Sequence, residues 1–231
     1  MLTGIILAGG QNRRMGGHAK ALLPFGEGTL IQHQIGRMRD ICSEIIVVTG
    51  EPRPLLAYVD RSVRVITDYV TGLGPLGGMH AGLSLARHPK AWIVGCDMPF
   101  LSPRAAKLML ERSEGVDAVL PADVSGPYPL HGVYDTRCVR VIAELAEARE
   151  SSLFRMLAMI DWISLTQQEC EKNGIPFDFV FEINTPEDHR KAQEMWAEKA
   201  RRGREPAGRG QKTIRSKPNR SSRGFFFFTK M

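Results

Sequence analysis

Short runs of apolar and β-branched residues alternate with amphipathic helical patterns along most of this 231-residue chain. Strands that are buried on both faces appear as continuous apolar runs, and the helices that cover them show apolar stripes at three-to-four-residue spacing. The predicted strands are Ile5–Ala8, Glu44–Thr49, Val63–Thr67, Ala91–Gly95 and Asp117–Pro121. This alternation predicts a single α/β domain, in which a mostly parallel sheet has helices on both faces.

Two helix starts are well marked in the sequence. Ser102-Pro103 and Thr185-Pro186 each combine an N-cap hydroxyl with proline at the first helical position. Apolar stripes predict two further helices, one over residues 30–38 and one that begins near Met79.

The composition changes after residue 199. Residues 200–231 hold ten of the 31 basic residues and one of the 25 acidic ones, so they carry a net charge of +9 and leave residues 1–199 with −3. The absence of apolar periodicity predicts a flexible basic tail over residues 200–231, beyond a domain formed by residues 1–199. Because that domain is slightly acidic, its ligands must be recognised by local groups, which disfavours nucleic acid as a partner.

The first apolar run excludes a membrane segment or signal peptide at this position. Gly4–Ala8 is followed by Gly9-Gly10 and Arg13-Arg14, which interrupt the run too early for either. We therefore expect a cytoplasmic protein that makes no membrane contact. The widely spaced cysteines predict neither a zinc site nor a disulfide framework, so they should act as small apolar side chains. The six histidines show no metal-ligand spacing, and most are expected at the surface.

Glycines and cations are concentrated directly after the first strand. Gly9 and Gly10 let backbone N–H groups approach an anion, while Arg14 and Lys20 add a bidentate donor and a mobile charge. This order predicts a nucleotide site at the carboxyl end of the first strand, in preference to a solvated turn. The stretch is not a Walker A loop, because Lys20 lies between two alanines.

A second glycine pattern, Gly72–Gly77, matches G-x-G-x-x-G, and Asp97 follows it. The preceding strand ends before Asp68, so these glycines do not follow it at once, as a dinucleotide-binding turn requires. We therefore disfavour a nicotinamide or flavin site. Residues 72–78 are interpreted as a flexible loop over a ligand, leading into the helix near Met79.

Two aspartates follow predicted strands and could bind a metal ion or a polar ligand at the same sheet edge. Asp97 comes after the run Ala91–Gly95, on the edge that also carries Gly9. A carboxylate beside a triphosphate is repulsive unless Mg²⁺ lies between them, so Asp97 is predicted to bind Mg²⁺. Asp68 could bind nucleoside hydroxyls or assist the metal. For both residues, capping of the following turn is the alternative.

Taken together, these segments resemble the molybdenum cofactor guanylyltransferases, a MobA-like family of nucleotidyltransferases with a Rossmann-like α/β fold. The matching segments are LAGGQNRRMGG with Lys20, TDY around Asp68, GPLGGMHAGL, CDMPF, YPLHGVY and INTPED. They extend from Gly4 to about Ala200. The resemblance implies transfer of GMP from GTP to the terminal phosphate of molybdenum-molybdopterin, with Mg²⁺ as cofactor and pyrophosphate as the second product.

The resemblance also implies roles for individual residues. The implied catalytic residues are Lys20, Arg14 and Asp97, and Asp97 is also the implied metal ligand. The implied GTP-binding residues are Leu7, Ala8, Gly9, Gly10, Lys20, Asp68 and Asp97. The implied contacts with the pterin substrate are Gly77, Gly78 and Asn184.

Three positions depart from the family's pattern. Ala19 stands where an Asp often precedes the motif lysine, and Thr49 stands where a nucleotide-binding Asn is common. Glu182 replaces a second Asn that precedes Asn184. We expect Thr49 to change a contact with the base or ribose, and Glu182 to change how the pterin substrate is held.

Two other functions remain compatible with the residues. A cytidylyl or sugar-1-phosphate transferase would share the glycine-rich motif and CDMPF, and a non-catalytic nucleotide-binding module would keep the loop without releasing pyrophosphate. Beyond GTP and molybdenum-molybdopterin, molybdoenzymes or proteins that handle the cofactor are further candidate partners.

Overall fold

A computed structural model describes residues 1–9, 19–68, 70 and 72–204, with the backbone alone for 202–204. These residues form an eight-stranded sheet in the order β10-β7-β9-β6-β1-β4-β5, with β8 paired to β7, and a separate hairpin of β2 and β3. The strands are β1 (Thr3–Leu7), β2 (Pro24–Phe25), β3 (Gly28–Thr29), β4 (Glu44–Val48), β5 (Val63–Ile66), β6 (Lys90–Gly95), β7 (Ala118–Asp123), β8 (Gly126–Pro127), β9 (His131–Asp135) and β10 (Trp162–Thr166).

Helices connect most of these strands. They are α1 (Leu30–Met38), α2 (Pro52–Leu55), α3 (Pro75–Leu85), α4 (Pro103–Glu111), α5 (Val139–Glu147), α6 (Leu153–Leu157), α7 (Gln167–Lys172) and α8 (Pro186–Arg204). Short 3-10 helices lie at Lys20–Leu22, Thr136–Cys138 and Phe177–Val180. No helix among the described residues is long and apolar enough to cross a membrane.

Parallel pairing brings the carboxyl ends of three strands to one sheet edge. Leu7, the last residue of β1, is in register with Val48 of β4 on one side and with Gly95 of β6 on the other. The residues that follow these three strands therefore meet at the same edge, which is where parallel α/β sheets bind ligands.

The prediction of a mostly parallel sheet is confirmed, with one internal exception. Strand β9 lies between β6 and β7 and is antiparallel to both, while β10 is again parallel to β7. This strand was not predicted from the sequence.

Apolar side chains on the two faces of the sheet form separate cores, as the predicted helices on both faces require. Along β1, Ile6 belongs to a cluster with apolar residues of α1 and α4, whereas Ile5 and Leu7 belong to a cluster with α3 and α5. This alternation follows from the two-residue period of a strand.

Both predicted N-caps are confirmed. The Ser102 hydroxyl accepts a hydrogen bond from the Ala105 N–H, and the Thr185 hydroxyl accepts one from the Asp188 N–H. The predicted start near Met79 is wrong, because α3 begins at Pro75. Residues 75–78 therefore form the first turn of that helix and not a flexible loop, since proline suits the first helical turn.

The C-terminal helix α8 packs on the β2–β3 hairpin. Its Ala192 is buried with Phe25 of the hairpin and with Phe100, and the Trp196 ring lies 5.4 Å from the Phe25 ring. The helix continues past the predicted boundary at residue 199 to Arg204. Residues 205–231 lie outside the described residues, so the flexible basic tail stays a prediction.

The cysteines and histidines differ in how well their environment was predicted. All four cysteines are free and buried, which confirms their use as small apolar side chains. Burial raises the pKa of the Cys42 thiol to about 12. Four of the described histidines are partly exposed, in agreement with the expectation that most lie at the surface: His33, His80, His88 and His189. Among the described histidines, His131 is the exception. His131 is fully buried, and burial lowers its pKa to about 3.

Candidate active site

A cavity of about 670 Å³ opens at the carboxyl edge of β1, β4 and β6. Six of the predicted site residues line it together: Leu7, Gly9, Lys20, Asp68, Gly78 and Asp97. The other lining residues are Val48, Thr49, Gly50, Gly72, Gly74, Pro75, Gly95, Cys96 and Leu130. The edge that the sequence predicted as a nucleotide site is therefore concave.

Lys20 connects two of the predicted site residues. Its ammonium group lies 3.1 Å from Asp97 Oδ2 and donates a hydrogen bond of 3.0 Å to Asn184 Oδ1. The side chains of Lys20 and Asp97 are only 17% and 26% exposed, so this ion pair is shielded from much of the solvent. The structure thus joins the segment after β1, the end of β6 and the start of α8 in one polar cluster.

Glu182 extends this cluster on the side of Asn184. Its Oε2 accepts a hydrogen bond of 3.1 Å from Asn184 Nδ2, which orients the Asn184 amide so that its oxygen faces Lys20. Burial raises the pKa of Glu182, and the negative charge of Asp97 adds to that shift. The residue that departs from the family's pattern therefore lies beside the predicted catalytic cluster.

The turn that carries Asp97 is held from several sides. The Asp97 carbonyl oxygen accepts a hydrogen bond of 2.8 Å from the N–H of Ile183, which lies just before α8. A Cβ atom on Gly95 would lie 2.6 Å from Asp97 Oδ1, closer than a side chain permits, so glycine leaves room for the carboxylate. The backbone hydrogen bond and the glycine at position 95 therefore help to determine where the Asp97 carboxylate lies.

The glycines predicted to contact the pterin substrate have different surroundings. Gly77 is buried in the first turn of α3, where a Cβ would lie 3.4 Å from Asp68 Oδ2 and 2.9 Å from the Val70 carbonyl oxygen. Gly78 packs against Leu7 and lines the cavity. Asn184 is not among the lining residues, but it is hydrogen-bonded to Lys20, which is. The assignment of these three residues to the pterin substrate stays a prediction.

The remaining predicted site residues differ in their location, and some lie outside the described part of the chain. Ala8 is half-buried at the end of β1, and its N–H bonds to the Val48 carbonyl. Gly10 and Arg14 lie outside the described residues. Thr49 lines the cavity, and its hydroxyl accepts a hydrogen bond from the Glu51 N–H. The lining residue Gly50 was not predicted, although it follows a predicted strand that ends at this edge.

Two of the glycines that line the cavity were predicted only as part of a loop. Their positive φ angles explain why glycine is needed at these positions. Gly72 and Gly74 have φ angles of 86° and 54°, a region that side chains disfavour. These glycines turn the chain so that α3 begins at the cavity. The N-terminal end of a helix favours binding of an anion, so this orientation suits an anionic ligand.

The oxygen atoms beside Lys20 fit a magnesium ion that is shared with substrate phosphates. Within residues 1–9, 19–68, 70 and 72–204, no group of three or more His, Cys, Asp or Glu side chains could hold a metal. Mg²⁺ does not need such a group, because it commonly binds one or two carboxylates together with water and phosphate oxygens. Asp97 supplies a carboxylate of this kind at the cavity.

Residues 4–163 match the family model described as the MobA-like NTP transferase domain. The match covers well over half of the chain and includes β1, the cavity and the Asp97 turn. The chain belongs to this family. Membership confirms the nucleotidyltransferase fold and enzyme class that the sequence predicted.

Full-length relatives agree with this family assignment. A probable molybdenum cofactor guanylyltransferase of Pelotomaculum thermopropionicum is 38% identical over 204 residues, which cover 87% of this chain and 96% of that protein. The molybdenum cofactor guanylyltransferase of Yersinia pestis is 30% identical over 201 residues, covering 87% and 97%. The similarity therefore includes the segment around Asn184, beyond the part that the family model matches.

A solved structure supports the fold. The crystal structure of molybdopterin-guanine dinucleotide biosynthesis protein A from Archaeoglobus fulgidus superimposes with a TM-score of 0.73 at 21% identity, covering 85% of this chain and 99% of that one. The two proteins therefore share a fold over 85% of this chain.

Proposed function

We propose that this chain transfers GMP from GTP to the terminal phosphate of molybdenum-molybdopterin and releases pyrophosphate. The observation that carries this proposal is the Lys20–Asp97 ion pair at the edge of a cavity of about 670 Å³, in a chain of the MobA-like family. A cation and a carboxylate side by side suit a reaction in which several phosphate charges must be neutralised. A cytoplasmic location belongs to the same proposal.

The reaction needs positioning more than it needs a nucleophile from the protein. A terminal phosphate oxygen of the acceptor forms a bond to the α-phosphorus of GTP, and the bond from that phosphorus to the bridging oxygen of pyrophosphate breaks. The acceptor oxygen is already ionised, so no side chain has to remove a proton from it. Lys20 would neutralise charge on the transferred phosphate, and the Gly9 N–H would donate to it.

Asp97 would hold Mg²⁺ at the point where the two substrates meet. The bound ion would neutralise phosphate charge and favour departure of pyrophosphate. Asp68, Thr49 and the start of α3 line the part of the cavity in which we place the nucleoside. Asn184 is hydrogen-bonded to Lys20 and to Glu182, and neither of these two partners of the cluster, Asn184 or Glu182, lines the cavity with Asp68 and Thr49. We place the acceptor beside them.

The proposal is tested by assaying pyrophosphate release from each of the four nucleoside triphosphates, with molybdenum-molybdopterin and Mg²⁺ present. GTP should support release, and release should require both the acceptor and the metal. Turnover with CTP and not with GTP would favour a cytidylyl transferase instead. Binding of GTP without pyrophosphate release under any of these conditions would favour a non-catalytic module.

Asp97→Asn is the variant that tests the predicted metal ligand. It should reduce turnover by several orders of magnitude, because an amide is a weaker ligand for Mg²⁺ than a carboxylate. Asp135→Asn is a matched control, since Asp135 forms an ion pair of the same 3.1 Å length with Lys90. That control should keep normal turnover. Near-normal activity of folded Asp97→Asn would remove this residue from the mechanism.

A further inference from the structure

A buried amide in α1 holds the turn that carries Asp97. Gln34 has no exposed surface, and its Nε2 donates hydrogen bonds of 2.9 Å to the Gly95 carbonyl and 2.8 Å to the Met98 carbonyl. These carbonyls belong to the residues on either side of the Cys96-Asp97 pair. Both amide protons of Gln34 are therefore used to fix the backbone around the predicted metal ligand.

A neighbouring residue of the same helix continues this contact along the chain. Arg37 Nε donates a hydrogen bond of 3.3 Å to the Leu101 carbonyl. Residues 34 and 37 share one side of α1, since positions three apart are adjacent on a helix. This side of α1 is in contact with the backbone of residues 95–101.

Stability alone does not account for glutamine at position 34. The other buried positions of α1 are apolar, and they form the stripe Leu30, Ile31, Ile35 and Met38. Burying an amide carries a desolvation cost that an apolar side chain avoids. Gln34 Oε1 has no hydrogen-bond partner among the described residues, so part of that cost is not recovered. What glutamine provides here, and an apolar side chain would not, is the two hydrogen bonds to the Gly95 and Met98 carbonyl oxygens.

We propose that Gln34 is a positioning residue for the reaction, acting through Asp97. The two carbonyls that it binds belong to the Gly95–Cys96 and Met98–Pro99 peptides, which lie at the two ends of the segment Cys96–Met98. Fixing both ends limits the backbone motion of this segment and therefore the positions that the Asp97 carboxylate can take. A carboxylate held in this way can bind a metal without first losing conformational freedom. This inference rests on the proposed role of Asp97 as the Mg²⁺ ligand.

The test compares Gln34→Met with Gln32→Met. Methionine has a similar length but donates no hydrogen bond, so Gln34→Met removes both contacts while it keeps the site filled. Gln32 lies in the same helix, is exposed, and caps the helix start through Thr29. Gln32→Met therefore lowers stability without changing the Asp97 turn, and it controls for a purely structural effect.

Three measurements separate positioning from stability. Gln34→Met should weaken binding of Mn²⁺, measured by electron paramagnetic resonance, by about tenfold, the order of magnitude expected when one backbone residue must be ordered on binding. It should lower kcat by a similar factor and leave KM for GTP nearly unchanged. Backbone amides of Cys96, Asp97 and Met98 should exchange hydrogen faster. Gln32→Met should match the wild type in all three.

The outcomes distinguish failure of this inference from failure of the proposed function. Equal amide exchange and equal Mn²⁺ affinity in Gln34→Met and Gln32→Met would overturn the positioning role. If Asp97→Asn bound Mn²⁺ as well as the wild type, the proposed metal ligand would be wrong, and amide exchange would still test Gln34. Gln34→Asn, which keeps a neutral amide donor on a side chain one methylene shorter, should show a smaller loss and serves if Gln34→Met does not fold.

Discussion

Lys20 has two oxygen partners from distant parts of the chain, and one of them is the carboxylate that we propose for magnesium. The ammonium group therefore occupies part of the space and satisfies part of the charge that a divalent ion would use. Phosphate groups of a nucleotide would offer Lys20 another partner. Binding of the metal and binding of GTP should consequently strengthen each other, because such coupling is reciprocal.

Lys20→Met should raise the Mn²⁺ affinity of the nucleotide-free protein. Without the ammonium group, the Asp97 carboxylate is not neutralised before the metal arrives, and a gain of about threefold to tenfold is expected for a partly buried pair. The same change should weaken GTP more than GMP, since Lys20 would contact the phosphates and not the base. Metal titrations with and without GTP, together with calorimetry for both nucleotides, measure these effects.

Lys90→Met is the matched control for this experiment. Lys90 is 18% exposed and forms its 3.1 Å ion pair with Asp135 at the opposite end of β6. This variant should lose stability and leave Mn²⁺ affinity unchanged. An unaltered Mn²⁺ affinity in Lys20→Met would show that Lys20 and the metal do not compete for Asp97.

Among the secondary-structure elements, those with an unbroken apolar run were predictable from the sequence. Strands β1, β4, β5, β6 and β7 lie within one or two residues of their predicted bounds. Strand β9 was missed because its sequence, HGVYD, is short, mixed in polarity and contains glycine. Its place between β6 and β7 depends on pairing with strands far away in the sequence, which local patterns do not encode.

The candidate site was predictable where it follows from strand ends. Gly9, Asp68 and Asp97 follow predicted parallel strands, so their common edge could be inferred. Asn184 came from the family resemblance alone, because nothing local indicates that α8 begins beside Lys20. Gln34 had a weak signal that was overlooked, a polar residue within the apolar stripe of α1.

Glu44 connects several elements at the edge of the sheet away from the cavity. The residue begins β4 and is 8% exposed, and it accepts hydrogen bonds from Thr3, Arg64 and the Arg87 N–H. Burial by itself raises the pKa of the carboxyl group, but the hydrogen bonds outweigh burial and the net pKa is lowered. The carboxylate therefore stabilises the folded state above its ordinary pKa of 4.5.

Glu44→Gln should lower the free energy of unfolding by roughly 2 to 4 kcal/mol near neutral pH, because it removes the negative charge that pairs with the Arg64 guanidinium. The difference from the wild type should shrink as the pH falls from about 5 through the lowered pKa, since the wild-type carboxylate is then protonated. Denaturant unfolding at about pH 7 and about pH 3.5 measures both values. Glu27→Gln, in an exposed position, is the control. A constant difference across this range would contradict the assigned role.

For the whole molecule, the boundary between the domain and the basic segment can be tested by two truncations. Ending the chain after Arg204 should shift Tm by no more than about 1 °C and keep turnover, because residues 205–231 lack apolar periodicity. Ending it after Glu194 removes Trp196, which packs on Phe25 and His33, and Lys199, which pairs with Asp178. That truncation should lower Tm by about 5 °C or more.

The four phenylalanines at residues 225–228 provide the outcome that would contradict this boundary. A drop of several degrees on truncation after Arg204, or conversion of a dimer into a monomer by light scattering, would show that they pack on this domain or on a second copy. In that case the domain would extend beyond α8.

The hydrogen bond between Lys20 and Asn184 joins residues that are 164 positions apart in the chain. During synthesis, a ribosome releases Lys20 and the Asp97 turn well before the start of α8 has emerged. A nascent chain of that length lacks the Asn184 amide and the Ile183 N–H that supports the Asp97 turn. The cluster of Lys20, Asp97 and Asn184 is therefore completed only after the start of α8 has emerged, so a chain that terminates before residue 184 would not form it.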